Sequence, residues 1–129
     1  MKEFRITIGN RPGELARVAE NLARNNVNLK SVAASTELNQ VTLHLIGHDV
    51  QATRSALQSM RAQFKEQEVV QLLLEDSAGE LARVATAISD AGVNMDAIYL
   101  TGKADDMIEL AMAVDDVKKA KKVLEDSLL

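Results

Sequence analysis

Asn10 to Val32 reads NRPGELARVAENLARNNVNLKSV, and Asp76 to Ile98 reads DSAGELARVATAISDAGVNMDAI. The two segments align without a gap at a spacing of 66 residues and share the seven-residue run Gly-Glu-Leu-Ala-Arg-Val-Ala, followed further on by a shared Val-Asn. Self-similarity at a fixed spacing is typical of a duplicated structural unit. The sequence therefore predicts two copies of one fold.

The repetition continues beyond these segments. The stretch Val41 to Leu45 corresponds to Ile108 to Met112 at a spacing of 67 residues, so the second copy has one extra residue in its hairpin. The chain has 129 residues, close to twice this spacing, and no Pro-, Gly- or Ser-rich linker separates the copies. We expect repeat 1 to cover residues 1–66 and repeat 2 to cover residues 67–129.

Each copy begins with a predicted strand and helix. In repeat 1 an alternation of apolar and polar residues predicts a strand over residues 2–9, and apolar residues at helical spacing predict a helix over residues 12–25. Asn25-Asn26 and, in repeat 2, Gly92 suit a left-handed turn at the end of this helix. The repeat 2 helix is preceded by Ser77-Ala78-Gly79-Glu80, a capping-box pattern.

A hairpin and a second helix follow in both copies. The hairpins are predicted as 27–36 with 40–46 and as 93–101 with 107–114, the second around Gly102–Asp105. Asp49 is expected to cap a helix with Val50, Leu57, Met60 and Phe64 on one face, and Asp115-Asp116 precede its counterpart. The order β-α-β-β-α, found twice, predicts an α+β chain of two ferredoxin-like repeats with antiparallel sheets and helices on one face.

Only one strand, residues 68–75, fits between the second helix of repeat 1 and the first helix of repeat 2. It is assigned to repeat 2, so neither copy has the fourth strand that normally lies beside the first. Exposed strand edges favour pairing. We therefore expect residues 4–8 and 69–74 to pair with each other or with another copy, as a six-stranded sheet or a dimer.

Composition excludes several classes of protein. Without cysteine there is no disulfide or thiol nucleophile, and a net charge of −4 with 2% aromatic residues argues against binding to nucleic acid. No apolar stretch reaches the length of a membrane span, and the N-terminus does not resemble a signal peptide. A cytoplasmic protein that does not associate with membranes is expected.

No motif indicates catalysis or metal binding. GxSxG, HExxH and P-loop patterns are missing, and Arg11-Pro12-Gly13 occurs without the Gly-rich phosphate cradle that an acylphosphatase needs. His44 and His48 have a spacing that joins two side chains only on a helix, whereas His44 lies in a predicted strand. Lys118 to Lys122 is a polar helix face balanced by nearby acids. We expect no enzyme, no metal site and no cofactor.

The chain resembles the ACT domain family. The resemblance lies in Asn10-Arg11-Pro12-Gly13-Glu14-Leu15 followed by Asn26-Val27-Asn28-Leu29, and in Asp76-Ser77-Ala78-Gly79-Glu80-Leu81 followed by Gly92-Val93-Asn94-Met95. Family members typically show Asp or Asn, Pro-Gly, an apolar helix and then Gly-Val-Asn-Ile. The likeness covers the whole chain, which is similar to a tandem ACT protein without an attached enzyme.

The resemblance implies a regulatory module that binds free amino acids at interfaces between ACT units through the loop from strand one to helix one. A homodimer or a partner enzyme is the expected assembly. The residues thereby assigned to the candidate site are Asn10, Arg11, Pro12, Gly13, Glu14, Leu15 and Asn28 in repeat 1, and Asp76, Ser77, Ala78, Gly79, Glu80, Leu81 and Asn94 in repeat 2.

General properties of helix ends also support this loop as the ligand-binding site. Free N–H groups at a helix start attract an anion such as a ligand carboxylate, and Asn10 or Asp76 can accept from an ammonium group. Gly13 and Gly79 serve either close packing or ligand contact. Asn28 and Asn94 either reach the ligand or fix the turn after the helix.

Other residues of the loop have simpler interpretations, and the two copies differ. Glu14 and Glu80 fit a helix cap, with Arg17 and Arg83 as their partners three residues on. Repeat 1 has Asn10 where Asp is common, and repeat 2 has Ala78 in place of Pro. Equal affinity at the two sites is therefore not expected.

Two alternatives to an amino-acid sensor remain open. One is a constitutive interaction module, a subunit that docks on an amino-acid biosynthetic enzyme without sensing a ligand. The other is a metal-binding ferredoxin-like homo-oligomer.

Overall fold

The computed structural model describes residues 1–129 and forms two compact units, Lys2–Gln67 and Glu68–Leu129 with Met1. The elements of the first unit are β1 (Lys2–Gly9), α1 (Glu14–Arg24), β2 (Leu29–Glu37), β3 (Gln40–Gly47), α2 (Val50–Ser59) and β4 (Phe64–Glu68). Those of the second are β5 (Val70–Glu75), α3 (Glu80–Asp90), β6 (Met95–Ala104), β7 (Met107–Val114), α4 (Val117–Val123) and a 3₁₀ turn (Glu125–Ser127). None of the helices is long and apolar enough to span a membrane.

Repeat 1 is a four-stranded sheet in the order β2-β3-β1-β4. β1 pairs antiparallel with β3 from Phe4 opposite Leu45 to Gly9 opposite Gln40, and β3 pairs antiparallel with β2. The alternate residues of β1 predicted to be buried pack with α1 and α2 in one apolar core, which confirms the predicted face. The buried members of this core are Phe4, Ile6, Ile8, Val18, Leu22, Leu43, Leu45, Ala56 and Leu57.

Strand β4 corrects the prediction that repeat 1 lacks a fourth strand. α2 ends at Ser59, the chain turns through Arg61 with a φ of 57°, and Phe64 begins β4 instead of extending the helix. The Phe64 ring packs on Phe4, with ring centroids 5.7 Å apart. Because β4 covers the outer edge of β1, the prediction that β1 pairs with repeat 2 or with another copy is wrong.

Repeat 2 is a three-stranded sheet in the order β5-β7-β6. Its core consists of apolar side chains from β5, β7, α3 and α4, and the two helices cover one face of the sheet. The outer edge of β5 is paired at a single point, where Leu72 bridges Leu128 and the Leu129 N–H donates to the Gln71 carbonyl at 3.0 Å. The buried members of the core are Val70, Leu72, Leu74, Val84, Ile88, Val93, Leu110, Met112, Val114, Ala120 and Leu124.

The extra residue of repeat 2 lies within a strand. β6 continues to Ala104 and its register against β7 shifts between Leu100 and Gly102, so Thr101 is the additional residue of a β-bulge. The predicted turn at Gly102–Asp105 is therefore wrong. The chain reverses at Asp105-Asp106, where Asp105 has a φ of 53°.

The predicted helix ends are confirmed at four places. Asn26 and Gly92 have φ values of 56° and 73°, the left-handed conformation that closes α1 and α3. Asp49 accepts a hydrogen bond from the Ala52 N–H at 3.0 Å, and Asp116 accepts from the Lys119 N–H at 3.0 Å. These carboxylates satisfy N–H groups that the first turns of α2 and α4 leave free.

Candidate functional site

The loop from β1 to α1 ends in a helix start without a side-chain cap. Gly13 is the N-cap residue, with φ 91° and ψ −14°, and no side chain hydrogen bonds to the first turn. The Glu14 N–H donates to the Arg11 carbonyl at 3.3 Å and the Arg17 N–H donates to the Gly13 carbonyl at 2.9 Å. The N–H groups of Leu15 and Ala16 have no acceptor within the chain. Two backbone donors therefore face outward at an exposed position.

Repeat 2 reproduces this geometry. Gly79 has the same φ and ψ values as its counterpart, and again no side chain caps the helix. The Glu80 N–H donates to the Ser77 carbonyl at 3.4 Å and the Arg83 N–H to the Gly79 carbonyl at 2.9 Å. The N–H groups of Leu81 and Ala82 have no acceptor within the chain. Both repeats thus present two free amides and a positive helix end to solvent.

One prediction about this loop is wrong, and one of two alternatives for its glycine is removed. The capping box at Ser77 does not form, because α3 begins three residues later and Gly79 occupies the cap. Close packing does not explain Gly13 or Gly79 either, since a Cβ at these positions would meet no atom within 4 Å. The reason for glycine is its φ of 91°, a conformation that L side chains rarely adopt.

The charges beside the repeat 1 loop form an exposed chain of three groups. The Arg11 guanidinium contacts the Glu14 carboxylate at 2.8 Å and Arg17 contacts its other oxygen at 3.2 Å, which confirms the predicted pair three residues apart. Hydrogen bonds from Arg11 first and then Arg17 hold the pKa of Glu14 below its ordinary value. Because two arginines pair with the single carboxylate of Glu14, the charged groups beside the free amides have a net positive charge.

Repeat 2 has different charges around the same backbone. Arg83 contacts Glu80 at 2.8 Å, which also confirms the predicted pair and holds the pKa of Glu80 below its ordinary value. Arg83 also donates to the Ser127 hydroxyl at 2.9 Å. Asp76 forms an ion pair with Lys103 at 2.6 Å, whereas repeat 1 has the neutral Asn10 at this position. The acceptor proposed for an ammonium group is therefore already paired in repeat 2.

The hairpin tip is a neighbour of the loop that the sequence interpretation missed. The Asn10 N–H donates to the Asn39 carbonyl at 3.1 Å, and the Asp76 N–H donates to the Asp106 carbonyl at 2.7 Å. Since β1 and β5 pair with the second strand of each hairpin, the residue after each strand must lie opposite the tip. That pairing, had it been assigned from the sequence, would have added Asn39, Asp106 and Lys103 to the candidate residues.

Asn28 and Asn94 lie at the far end of α1 and α3 from the glycine caps. Each helix has 11 residues, about 16 Å at the usual rise per residue. The Asn28 carbonyl accepts from the His48 N–H at 3.0 Å. Asn94 donates from its backbone at 2.9 Å and from its side chain at 3.3 Å to the Asp115 carboxylate. Within one repeat, these residues fix the start of a strand.

The remaining polar groups singled out in the sequence lie elsewhere. His44 is in β3, where its Nδ1 contacts the fully buried Glu3 carboxylate, and His48 is exposed just after that strand. Lys118 to Lys122 contributes exposed side chains, of which Lys121 contacts Glu68 at 2.9 Å. Pro12 and Ala78 are exposed members of the loops themselves.

The arrangement of the loops suits one kind of chemistry. Free backbone N–H groups at a positive helix end hold a small anion such as a carboxylate, and the open side of each glycine lets it approach. The exposed apolar side chains of Leu15 and Leu81 adjoin these amides, with 54% and 59% of their surface accessible. A carboxylate attached to an apolar group matches this combination of groups.

Solved structures share the fold over the full chain. Protein BT0572 from Bacteroides thetaiotaomicron matches with a TM-score of 0.88 and 24% identity, covering 99% of this chain and 90% of that chain. The ligand-free regulatory subunit of aspartate kinase from Thermus thermophilus matches with a TM-score of 0.70 and 13% identity, covering 97% and 90%. The chain has an ACT-like fold.

A third match extends the likeness to a larger protein. E. coli aspartokinase III in complex with lysine and aspartate matches the ACT-like chain with a TM-score of 0.52 and 20% identity, covering 97% of this chain and 30% of that one. No protein-family model matches the sequence, and no curated protein matches it. The ACT-like repeats are thus similar to known structures in fold, at low sequence identity.

Proposed function

We propose that the chain is a non-catalytic regulatory protein that binds free amino acids through its β1–α1 and β5–α3 loops, at interfaces between ACT-like units. The single observation that carries this proposal is the repeated helix start. Gly13 and Gly79 share one left-handed conformation, and each precedes two N–H groups without an acceptor. Such a helix start is an anion site that a ligand carboxylate fits.

The compared structures support the regulatory role. The Thermus thermophilus protein is a regulatory subunit of aspartate kinase, and the E. coli aspartokinase III structure contains lysine and aspartate. Both matches cover 97% of this chain, so they include both repeats. A partner enzyme and a homodimer are accordingly the assemblies that we propose to test.

Regulation requires that the ligand distinguish two states of an assembly. A ligand shifts an equilibrium only by the difference between its affinities for the two states, typically about 1 to 3 kcal/mol for allosteric coupling. An amino acid held by the amides of one unit and by groups of a neighbouring unit fulfils this condition. Its binding would then alter the contacts of the protein with its partner.

A thermal-shift screen of the twenty amino acids at about 1 mM tests the proposal. A ligand with a dissociation constant of about 10 μM adds about 2.7 kcal/mol of stability. That raises the unfolding midpoint by several degrees for a domain of this size. We expect one or a few amino acids to produce such a rise.

Gly13→Asp and Gly79→Asp identify the repeat that binds, with Gly13→Ala and Gly79→Ala as matched controls. Alanine imposes at least as much backbone strain as aspartate at a positive φ, and only aspartate adds a negative charge beside the free amides. Loss of the shift in an aspartate variant, with retention in its alanine control, supports the site. A well-folded protein that responds to no amino acid contradicts the proposal.

A constitutive docking subunit is the second candidate, favoured by the outer edge of β5. Leu128 and Leu129 occupy this edge at Leu72 and Gln71, so only the remainder of β5, toward Glu75, can pair with a strand from a partner. Purification of the protein with an enzyme at fixed stoichiometry, unchanged by added amino acids, would support this function over the sensor.

A further inference from the structure

Repeat 2 contains an apolar cavity between α3 and the sheet. Its volume is about 180 Å³, and every group that lines it is apolar. The helix contributes one wall and strands β6 and β7 the other. The lining residues are Leu81, Val84, Ala85, Ile88, Met95, Ile98 and Met112.

The size and lining of the cavity define what it can hold. An apolar cavity of about 150 Å³ in another protein stays dry and binds benzene. The present cavity is slightly larger, so an aliphatic group of four or five heavy atoms fits. A charged or hydroxylated group would lose its hydrogen bonds to water and find no partner on the walls. The cavity is therefore selective for an apolar group.

Exposed residues line the cavity near both ends of α3. Leu81, at the start of the helix, is exposed by 59%, and Met95, just beyond the other end, is exposed by 46%. Leu81 is the second residue of α3, and its own N–H is one of the two without an acceptor. Helical side chains lean toward the N-terminus, so the Leu81 side chain and the free amides share this end of the helix.

We propose that this cavity receives the side chain of a free aliphatic amino acid, of the size of leucine, isoleucine, valine or methionine, and so makes repeat 2 selective for that class. This inference rests on the proposed function, because the helix start supplies the partner for the ligand carboxylate. The free backbone amides beside Leu81 favour a free amino acid over a strand of a second copy. A strand would bring an apolar side chain without a carboxylate for the free amides.

Methionine ε-methyl NMR tests the inference directly. The chain has five methionines, of which Met95 and Met112 line the cavity, whereas Met60 packs in repeat 1. With ¹³C-methyl-labelled protein, L-leucine is titrated to about 10 mM so that millimolar affinities are included. We expect saturable shifts of the Met95 and Met112 signals and none of Met60. L-serine and L-aspartate serve as polar comparisons and should leave all three signals unchanged.

Ala85→Phe and Ala19→Phe form a matched pair of variants. Both alanines end the identical seven-residue run of the two repeats and are exposed on their helices, but Ala85 lines the cavity of repeat 2. The phenyl ring at position 85 occupies the space proposed for the ligand. We expect Ala85→Phe to weaken leucine binding at least about tenfold, as expected when a buried apolar group loses its pocket. Ala19→Phe should change it by no more than about twofold, as for a distant site.

The outcomes separate this inference from the proposed function. If an amino acid shifts the amides near Gly79 while Met95 and Met112 stay unchanged and Ala85→Phe binds normally, the cavity inference fails and the sensor function stands. If Met95 and Met112 respond to protein concentration and not to leucine, a second copy fills the cavity and the inference fails. If no amino acid shifts any signal, both the inference and the proposed function fail.

Discussion

At the scale of single residues, Gly13 and Gly79 show how one conformation can serve two loops. Both have φ 91°, and a Cβ would point into open space at either position. The requirement for glycine is therefore a matter of backbone conformation and not of room. Sequence interpretation identified both positions through the repeated motif, but it offered packing as a reason because φ values cannot be read from residue types.

Gly13→Ala and Gly79→Ala should each lower the free energy of unfolding by about 1 to 2 kcal/mol, the cost of a left-handed conformation for an L residue. Urea unfolding followed by circular dichroism measures the change. Gly102→Ala is the control, because its Cβ would approach Glu109 no closer than 3.5 Å and its φ is outside the left-handed region. Equal stability of all three variants would refute the conformational explanation.

The Asp76–Lys103 ion pair gives a second prediction at this scale. Lys103 Nζ lies 2.6 Å from Asp76 Oδ2 and competes with an ammonium group for the same acceptor. Thr36 occupies the corresponding register position in repeat 1, so Lys103→Thr is the matched change. It should tighten amino-acid binding at repeat 2 by up to about fivefold in Kd. This factor corresponds to the free energy that an exposed ion pair contributes, at most about 1 kcal/mol.

Calorimetric titration of the same amino acid into both proteins checks this result. Lys119→Thr is a suitable control, because that lysine is exposed on α4 and pairs only loosely with Asp116 at 3.9 Å. Weaker binding after Lys103→Thr would mean that the lysine itself contacts the ligand. The sequence alone did not suggest Lys103, since its contact depends on a bulge in β6.

At the scale of elements, β4 shows why part of the fold was not predictable. Leu57, Met60 and Phe64 recur at helical spacing, and the strand itself, FKEQE, has one apolar residue among four polar ones. Periodicity therefore extended the helix through residues that turn away from it. The true end of α2 is followed by Arg61 in a left-handed conformation. The sequence has no glycine there, which is the usual signal of such a helix end. Strands with clear alternation, such as β1 and β3, were predicted closely.

The ion pair between α2 and β4 predicts a pH dependence of stability. Arg54 Nε and Nη2 lie 2.7 and 2.6 Å from the two oxygens of Glu66. The Arg54 hydrogen bonds hold the pKa of Glu66 below its ordinary value of 4.5. A lowered pKa means that the folded protein binds this proton less readily than the unfolded chain. The pair thus contributes stability above the unfolded pKa and loses it as pH falls through the folded pKa.

Glu66→Gln should lower the unfolding midpoint at pH 7 and flatten its decline between about pH 5 and pH 3. Thermal unfolding at a series of pH values measures both effects. Glu37→Gln is the comparison, because Glu37 is exposed at the end of β2. If the unfolding midpoint of Glu66→Gln falls as steeply with decreasing pH as that of the original protein, Glu66 is not the source of this pH dependence.

At the scale of the whole molecule, the duplication predicted most of the architecture. The order β-α-β-β-α in each repeat, with helices on one face of an antiparallel sheet, followed from the repeated motif and from the periods of the flanking residues. A single six-stranded sheet had remained an alternative to two separate sheets. What could not be predicted was the difference in strand number, because the edges of β1 and β5 are completed by residues without a strand pattern. The ligand likewise stays a proposal, since side-chain selectivity depends on a cavity formed by long-range packing.

Each repeat has its own core, and this predicts local effects of core substitutions. Leu45 and Met112 occupy aligned positions in β3 and β7 and are exposed by 1% and 0%. Leu45→Ala and Met112→Ala should each cost about 2 to 5 kcal/mol. Amide hydrogen exchange by NMR should show the greatest loss of protection in the repeat that carries the change. A larger loss in the other repeat would contradict two separate cores.

The bulge at Thr101 bears on how duplicated sites diverge. A tandem gene duplication begins with two identical loops, and substitutions alter them one side chain at a time. A one-residue insertion in a strand can instead be absorbed by a bulge, so that the pairs beyond it keep their register. In this chain Lys103 lies opposite Ile108 as Thr36 lies opposite Val41, and the lysine contacts Asp76 at 2.6 Å. The two paralogous sites thus differ in the residue at one shared register position while both backbones stay intact.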